Sequence, residues 1–240
     1  MSYTNSPMVS CTKLSPNHSG QRTHSIDRIT PHCVVGQCSV ETLGNVFLPK
    51  SRQASSNYGI GVDGRVGMYV EEKNRSWCSS SASNDQRAVT IECASDSKAP
   101  YAFKDVVYNK LIELCTDICK RNGKTRLLWL GDKDKTLGYT PAPDEMVLTV
   151  HRWFANKSCP GDWMYARMGD LAEKVTAALG GQTQAPLDNA PAAWSKDAVN
   201  WALENRLLLG DANGDLKLRE NLTREQFCVM LKRYHDMLQK

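Results

Sequence analysis

An imidazole and a thiol stand eight residues apart in His151-Arg-Trp-Phe-Ala-Asn-Lys157-Ser-Cys159-Pro-Gly. Both are good zinc ligands, and a third ligand from elsewhere would leave the ion's fourth position open for water, as a catalytic site requires. Pro160-Gly161 predicts a turn that presents Cys159 at a fixed angle. Lys157, two residues before the thiol, is placed to reach charge developing near such a metal.

His32 is the natural third ligand. It lies in the short apolar segment Arg28 to Val35, where an unpaired imidazole is costly unless hydrogen-bonded or metal-bound. Taken alone, a strand histidine is more often structural, and the same holds for His151. His18 and His24 sit in a polar N-terminal stretch and His235 on the face of the last helix, which makes them weaker candidates. Glu92, in Val-Thr-Ile-Glu-Cys-Ala, is a carboxylate among apolar neighbours. It is either an outward-facing surface residue or, beside an activated water, a base that takes the water's proton and returns it to a leaving amine.

These residues need a scaffold. Residues 1 to 25 read as an irregular leader, rich in Ser, Thr, Asn and Pro. Ser39 predicts the N-cap of a helix reaching Phe47. Alternating apolar residues either side of Asp63-Gly64 predict a β-hairpin, and Arg87 to Ala94 predicts a strand. Tyr101 to Asn122 carries Val107, Leu111, Leu114, Cys115 and Ile118 at helical spacing, with Gly123 as its stop. Leu127 to Leu130 reads as a strand, Gly131 to Glu145 as a long loop near the site, and Met164 to Leu179 as a second long helix. Strands alternating with helices give an α/β domain around a central mixed sheet flanked by helices. A linker-like stretch, 181–192, precedes a small helical module, 193–240, with helices from Trp194 to Asn205 and from Thr223 to Leu238.

The chain has 240 residues, 41% hydrophobic and 23% charged, as in globular proteins. No apolar run approaches a membrane span. The net charge of +4 is dispersed, with no dense basic stripe, which argues against nucleic acid as a partner. Nine cysteines lack the spacing of a disulfide framework and read as mostly reduced, with Cys115 and Cys119 packing as small hydrophobes. The N-terminus lacks the features of a secretory signal, so the expectation is a cytoplasmic product that acts on its target after release.

Five ordered stretches resemble the zinc-dependent N-acetylmuramoyl-L-alanine amidases of phage endolysins and peptidoglycan recognition proteins. They are Ile29-Thr-Pro-His32, Asn57-Tyr-Gly-Ile-Gly-Val-Asp-Gly-Arg, Trp77 with Asn84, Ala88-Val-Thr-Ile-Glu92, and Thr149-Val-His151 with Lys157-Ser-Cys159-Pro-Gly. The similarity runs from about residue 25 to 180. It implies Zn²⁺ on His32, His151 and Cys159, with Glu92 as general base and Lys157 stabilising the oxyanion. It further implies substrate contacts from Trp77 and Asn84, packing or a substrate contact from Tyr58, and bacterial peptidoglycan as the partner.

Two departures bear on mechanism. Other branches of the family carry a helper tyrosine where this chain has Ser56, and Tyr58 lies two residues on. That leaves the base role to Glu92. Cys33 stands where many relatives have a second histidine. Strand alternation points it to the opposite face, away from any metal.

The C-terminal stretch, with Trp194, Trp201 and Leu222-Thr-Arg-Glu-Gln-Phe, resembles a single S-layer homology repeat. Thr223 and Gln226 predict a capping box, and Arg224 matches the family's contact to anionic wall polysaccharide. Trp194 and Trp201, seven apart, read as core packing. The module either binds wall polymer or associates with copies of itself. Asp211, Asn213 and Asp215 superficially suggest a calcium loop, but Leu216 stands where that loop needs glycine. The expected activity is peptidoglycan hydrolysis by an endolysin, with a non-catalytic peptidoglycan-binding protein and a host autolysin as alternatives.

Overall fold

Seven strands of the first of two units, Met1–Thr183, form one mixed sheet. The computed structural model describes residues 3–180, 189–210 and 214–239. In chain order the elements of this unit are β1 (Val9–Thr12), β2 (His18–Gln21), β3 (Arg28–Cys33), α1 (Val40–Phe47), β4 (Tyr58–Ile60), β5 (Val66–Met68), β6 (Asn74–Ser76) and α2 (Ala82–Arg87). There follow β7 (Ala88–Cys93), α3 (Asp105–Arg121), β8 (Arg126–Leu128), α4 (Lys133–Gly138), β9 (Glu145–Leu148), α5 (Asp162–Tyr165) and α6 (Met168–Ala178). The sheet runs β1-β5-β4-β7-β3-β9-β8, and β2 pairs with β6 in a separate ribbon. Only β4 and β5 are antiparallel in the large sheet; the other neighbours run parallel.

Helices α3 and α6 cover one face. Val107, Leu111, Leu114, Cys115 and Ile118 of α3 are buried in a cluster with Ile29, Ile91, Met146 and Val175. A second, smaller cluster of Leu43, Phe47 and Tyr69 holds α1 to the sheet. Ser39 caps α1 by accepting from the Thr42 N–H, as its position predicts. The β4–β5 hairpin turns through Gly64 at φ 81°, where an added Cβ would meet Val106 Cγ2 at 2.7 Å.

The N-terminal stretch is not an irregular leader. β1 pairs parallel with β5 at the sheet edge, and β2 pairs with β6. Both strands alternate half-buried with exposed positions, so they need no apolar pattern. Buried polar side chains fasten the segment instead. Ser15 Oγ donates to Phe47 O at 2.5 Å, and Asn17 Nδ2 donates to Phe47 O and Pro49 O at 2.9 Å.

Two further elements differ from their sequence readings. The 131–145 segment contains α4, capped by Asp132, which accepts from the Lys135 N–H. The predicted helix from Met164 to Leu179 breaks into α5 and α6 around Ala166 and Arg167.

The second unit, Gln184–Lys240, holds a 3-10 turn at Ala193–Ser195, then α7 (Lys196–Glu204) and α8 (Arg224–Leu238). Thr223 and Gln226 form the reciprocal capping box at the start of α8. Trp194 and Trp201 do not form a core: they are 90% and 48% exposed, and Trp194 stands on the 3-10 turn rather than on the helix. Residues 181–188 of the predicted linker, and Asp211 and Asn213 of the rejected calcium loop, lie outside the described residues. No helix among the described residues is long and apolar enough to cross a membrane.

Candidate metal centre and active site

Strand alternation sorts β3 and β7 into a packing face and a chemical face. Ile29 and Cys33 of β3, and Val89, Ile91 and Cys93 of β7, belong to the α3–α6 core. Thr30 and His32, with Thr90 and Glu92, take the other face. The two strands are parallel and in register, so Thr30 pairs with Thr90 and His32 with Glu92. Cys33 packs with the core as alternation predicts. At the end of β3 it also reaches the Cys159 thiol and lines the cavity beside it, so it is not turned away from the site. Neither group of metal-capable side chains among the described residues includes it.

The other two donors arrive from beyond β9. Thr149 N–H donates to Ile29 O at 3.0 Å, carrying the chain alongside β3 to His151, the first residue of a 3-10 turn. Arg152 N–H then donates to Cys159 O at 3.1 Å, closing the return loop. Gly161 ends that loop at φ 84°, ψ 155°, a region essentially restricted to glycine. A Cβ there would lie 2.8 Å from Pro100 O. The Pro-Gly pair thus closes the loop that carries Cys159 in a conformation only glycine takes readily.

His32, His151 and Cys159 each place one donor atom within 4.8 Å of the others. Cys159 Sγ is 3.3 Å from His32 Nδ1, and the two imidazoles meet edge to face with centroids 5.0 Å apart. A second group within the same limit joins His32 to Cys78 and Glu92. His32 is fully buried and its Nε2 has no hydrogen-bond partner; Glu92 Oε2 is likewise buried without one. Orphaned polar atoms on two paired residues mark a site built for something besides protein.

Burial, and next to it His151, pushes His32 well below the usual histidine range. Burial and then Lys157 lower His151. Both imidazoles are therefore held neutral, the form a metal takes. Burial raises the Glu92 carboxyl to about 7, against smaller opposing effects of Cys78 and Arg52. A carboxyl in that range is tuned for proton transfer near neutral pH.

Two adjoining cavities of about 580 and 590 Å³ open over this face, and both are lined by Glu92, His151, Lys157 and Arg52. Lys157 is exposed at the rim. Trp77 lines the first cavity, with its indole N–H donated to Ser19 Oγ at 2.6 Å. None of residues 131–145 lines either cavity, so that segment does not border the site.

Tyr58 takes the packing alternative, and neither it nor Asn84 lines either cavity. Tyr58 is fully buried; its hydroxyl donates to Glu72 Oε1 at 2.7 Å and accepts from Ser6 N–H at 2.8 Å. Ser56, at the helper-tyrosine position, is also fully buried, and its hydroxyl donates to Tyr58 O. Asn84 is buried in a polar network beneath the donors. It donates to Thr30 Oγ1 at 3.0 Å and Ser79 Oγ at 3.1 Å, and accepts from Thr149 Oγ1 at 3.1 Å and Arg28 Nη1 at 3.2 Å. With all four bonds made, Asn84 ties α2 to β3 and to the approach of His151. Arg224 belongs to the second unit, where it is exposed at the start of α8.

Residues 78 to 80 were missed by sequence reasoning. Cys78 Sγ donates to Glu92 Oε1 at 3.8 Å, Ser79 N–H donates to Asp85 Oδ2 at 3.2 Å, and Ser80 Oγ lies 3.0 Å from His151 Nε2. They fall in a serine-rich stretch without periodicity, so only three-dimensional contact reveals their place.

The sequence profile of N-acetylmuramoyl-L-alanine amidase matches residues 17–162, more than half of the chain. No curated protein matches in sequence. Similar solved structures include a selenomethionine AmpD derivative, 16% identical over 72% of this chain and 99% of its own, with a TM-score of 0.49. Another is the N-acetylmuramoyl-L-alanine amidase LysC from Clostridium intestinale URNW, at 15%, 76%, 96% and 0.44. A third is the Staphylococcus aureus hydrolase AmiA in complex with its ligand, at 12%, 72%, 86% and 0.47.

Proposed function

Because the chain belongs to the N-acetylmuramoyl-L-alanine amidase family, whose peptidoglycan hydrolase activity it shares, we propose that it is a zinc-dependent endolysin. On this reading His32, His151 and Cys159 hold Zn²⁺. The observation that carries it is the meeting of two neutral imidazoles and a thiol within 4.8 Å, with Glu92 in register beside His32. The donor set suits zinc: nitrogen and sulfur ligands, three in number, as in sites that keep a position open. The orphaned Nε2 of His32 agrees with a ring placed to meet a partner from outside the protein.

Zinc, when bound, supplies a Lewis acid that polarises the scissile carbonyl and eases deprotonation of water. The chain's residues do the rest. Glu92, through its free Oε2, takes the proton of the attacking water and delivers it to the departing amide nitrogen of L-alanine. Lys157, at the cavity rim, brings its ammonium toward the carbonyl oxygen as negative charge builds there. Trp77 supplies an apolar wall for the glycan or the first stem residue.

The second unit reads as a wall-polymer module resembling one S-layer homology repeat, with exposed Arg224 available to an anionic polysaccharide. Exposed Trp194, Phe227 and Leu231 favour self-association as the second reading for this unit.

Mass spectrometry of digested peptidoglycan tests the function directly. New free L-alanine amino termini, absent with Cys159→Ser, are the expected result. Wall binding without such termini in zinc-loaded protein would leave a non-catalytic binding protein instead. The same chemistry in a protein expressed outside lytic induction would make it a host autolysin.

A further inference from the structure

We propose that Cys78 is a positioning residue for the amidase reaction: its thiol fixes one carboxylate oxygen of Glu92 and leaves the other free to face the reacting water. This rests on the amidase reading above.

Cys78 Sγ stands 3.8 Å from Glu92 Oε1, within reach for a thiol donor, whereas Glu92 Oε2 is buried without any partner. A carboxylate anchored at one oxygen has a single orientation for the other. Without the thiol, no side-chain hydrogen bond would set Glu92 about its last torsion, which is broad and two-fold.

Cys78 is itself held firmly. Its own N–H donates to Asp85 Oδ2 at 3.1 Å, and the neighbouring Ser79 binds both oxygens of Asp85 through its N–H and its hydroxyl. Asp85 is buried in the first turn of α2. Two residues past Cys78, Ser80 Oγ meets His151 Nε2 at 3.0 Å. One short loop therefore touches both the base and a metal donor, and a single helix fixes its place. Cys78 also lines the cavity with Glu92, His151 and Lys157, so its thiol lies where the reaction occurs.

The test compares Cys78→Ala and Cys78→Ser with wild type in kcat, KM, zinc content and Tm. Cys78→Ala should lower kcat about tenfold with KM held within about twofold, as expected of an interaction that acts at the transition state. Cys78→Ser, which keeps a donor, should recover most of that loss, and both variants should keep one zinc and the wild-type Tm. Unchanged kcat in Cys78→Ala would overturn the proposal. So would a serine variant as slow as alanine, or loss of zinc from Cys78→Ala, which would make the thiol a ligand. Raman spectra of the metal-free protein give a readout independent of turnover and of variant folding at position 78. Glu92→Ala should shift one S–H stretching band toward that of a free thiol, and an unshifted band would overturn the hydrogen bond. Wild-type protein inert on peptidoglycan would sink the amidase reading alone, because the S–H band still decides the contact.

Discussion

Glu92 lies directly across a parallel strand pair from His32, on the same face of the sheet. The proposed proton acceptor and the proposed metal donor are thereby held at strand spacing by backbone hydrogen bonds, with no loop between them to absorb error. The precision that a two-residue catalytic geometry needs is supplied by the most rigid part of the fold.

Replacing Glu92 with Gln should lower turnover on peptidoglycan by about 10²–10⁴-fold while zinc remains bound, the range for loss of a general base. Metal analysis and kinetics on the same preparation check it; wild-type turnover would remove Glu92 from the chemistry.

The same substitution has a pH signature in the metal-free protein. Burial raises the Glu92 carboxyl from 4.5 to about 7, so between those values the folded state holds a proton that the unfolded state has released. Stability then falls as pH rises through that window. Glu92→Gln, which cannot ionise, should match wild type below pH 4 (about the carboxyl's ordinary range) and exceed it by about 3 kcal/mol at about pH 8. Urea unfolding in the presence of a chelator at both pH values provides the comparison.

Gly161→Ala should cost about 1–3 kcal/mol, because its φ 84°, ψ 155° backbone excludes a side chain and the new methyl meets Pro100 O. The strain falls two residues from Cys159, so zinc affinity should weaken along with Tm. Competition with a chelator measures the first and calorimetry the second.

Asn84→Ala should lower stability by about 1–3 kcal/mol, since it strips partners from buried Thr30, Thr149 and Ser79. KM should stay near the wild-type value. A raised KM at unchanged Tm would restore Asn84 as a substrate contact.

Removing residues 184–240 should leave turnover on soluble muropeptide within about twofold, because the cavity residues all belong to the first unit. Retention on intact cell walls should drop. Sedimentation of protein with purified walls, and the mass of the protein in solution, separate wall binding from self-association.

The candidate site was readable from the chain through five ordered motifs rather than from any histidine alone. His32 and Glu92 interrupt apolar strands, and Cys159 precedes a Pro-Gly turn. Capping chemistry was equally plain at Ser39 and Thr223, where one side chain decides the outcome. Edge strands β1 and β2 were hidden, because they are held by backbone pairing and polar anchors that leave no hydrophobic period. Tyr58 reads from the sequence as either packing or substrate contact, and Asn84 stands in a matching motif. Neither pattern shows that a polar side chain is buried when its hydrogen bonds are met inside, as both are here. The role of Cys78 depends on contact with a residue fourteen positions away, which no local pattern encodes.

His32 and His151 come from opposite ends of the catalytic unit, 119 residues apart in the chain. An ion gripped by both acts as a clasp on a very long loop, and the unfolded chain has no such site to offer it. Folding and metal loading then become one equilibrium, in which free zinc in tenfold excess of its dissociation constant adds about 1.4 kcal/mol to stability and each further decade adds as much again. The melting temperature of this protein should accordingly serve as a gauge of the zinc around it.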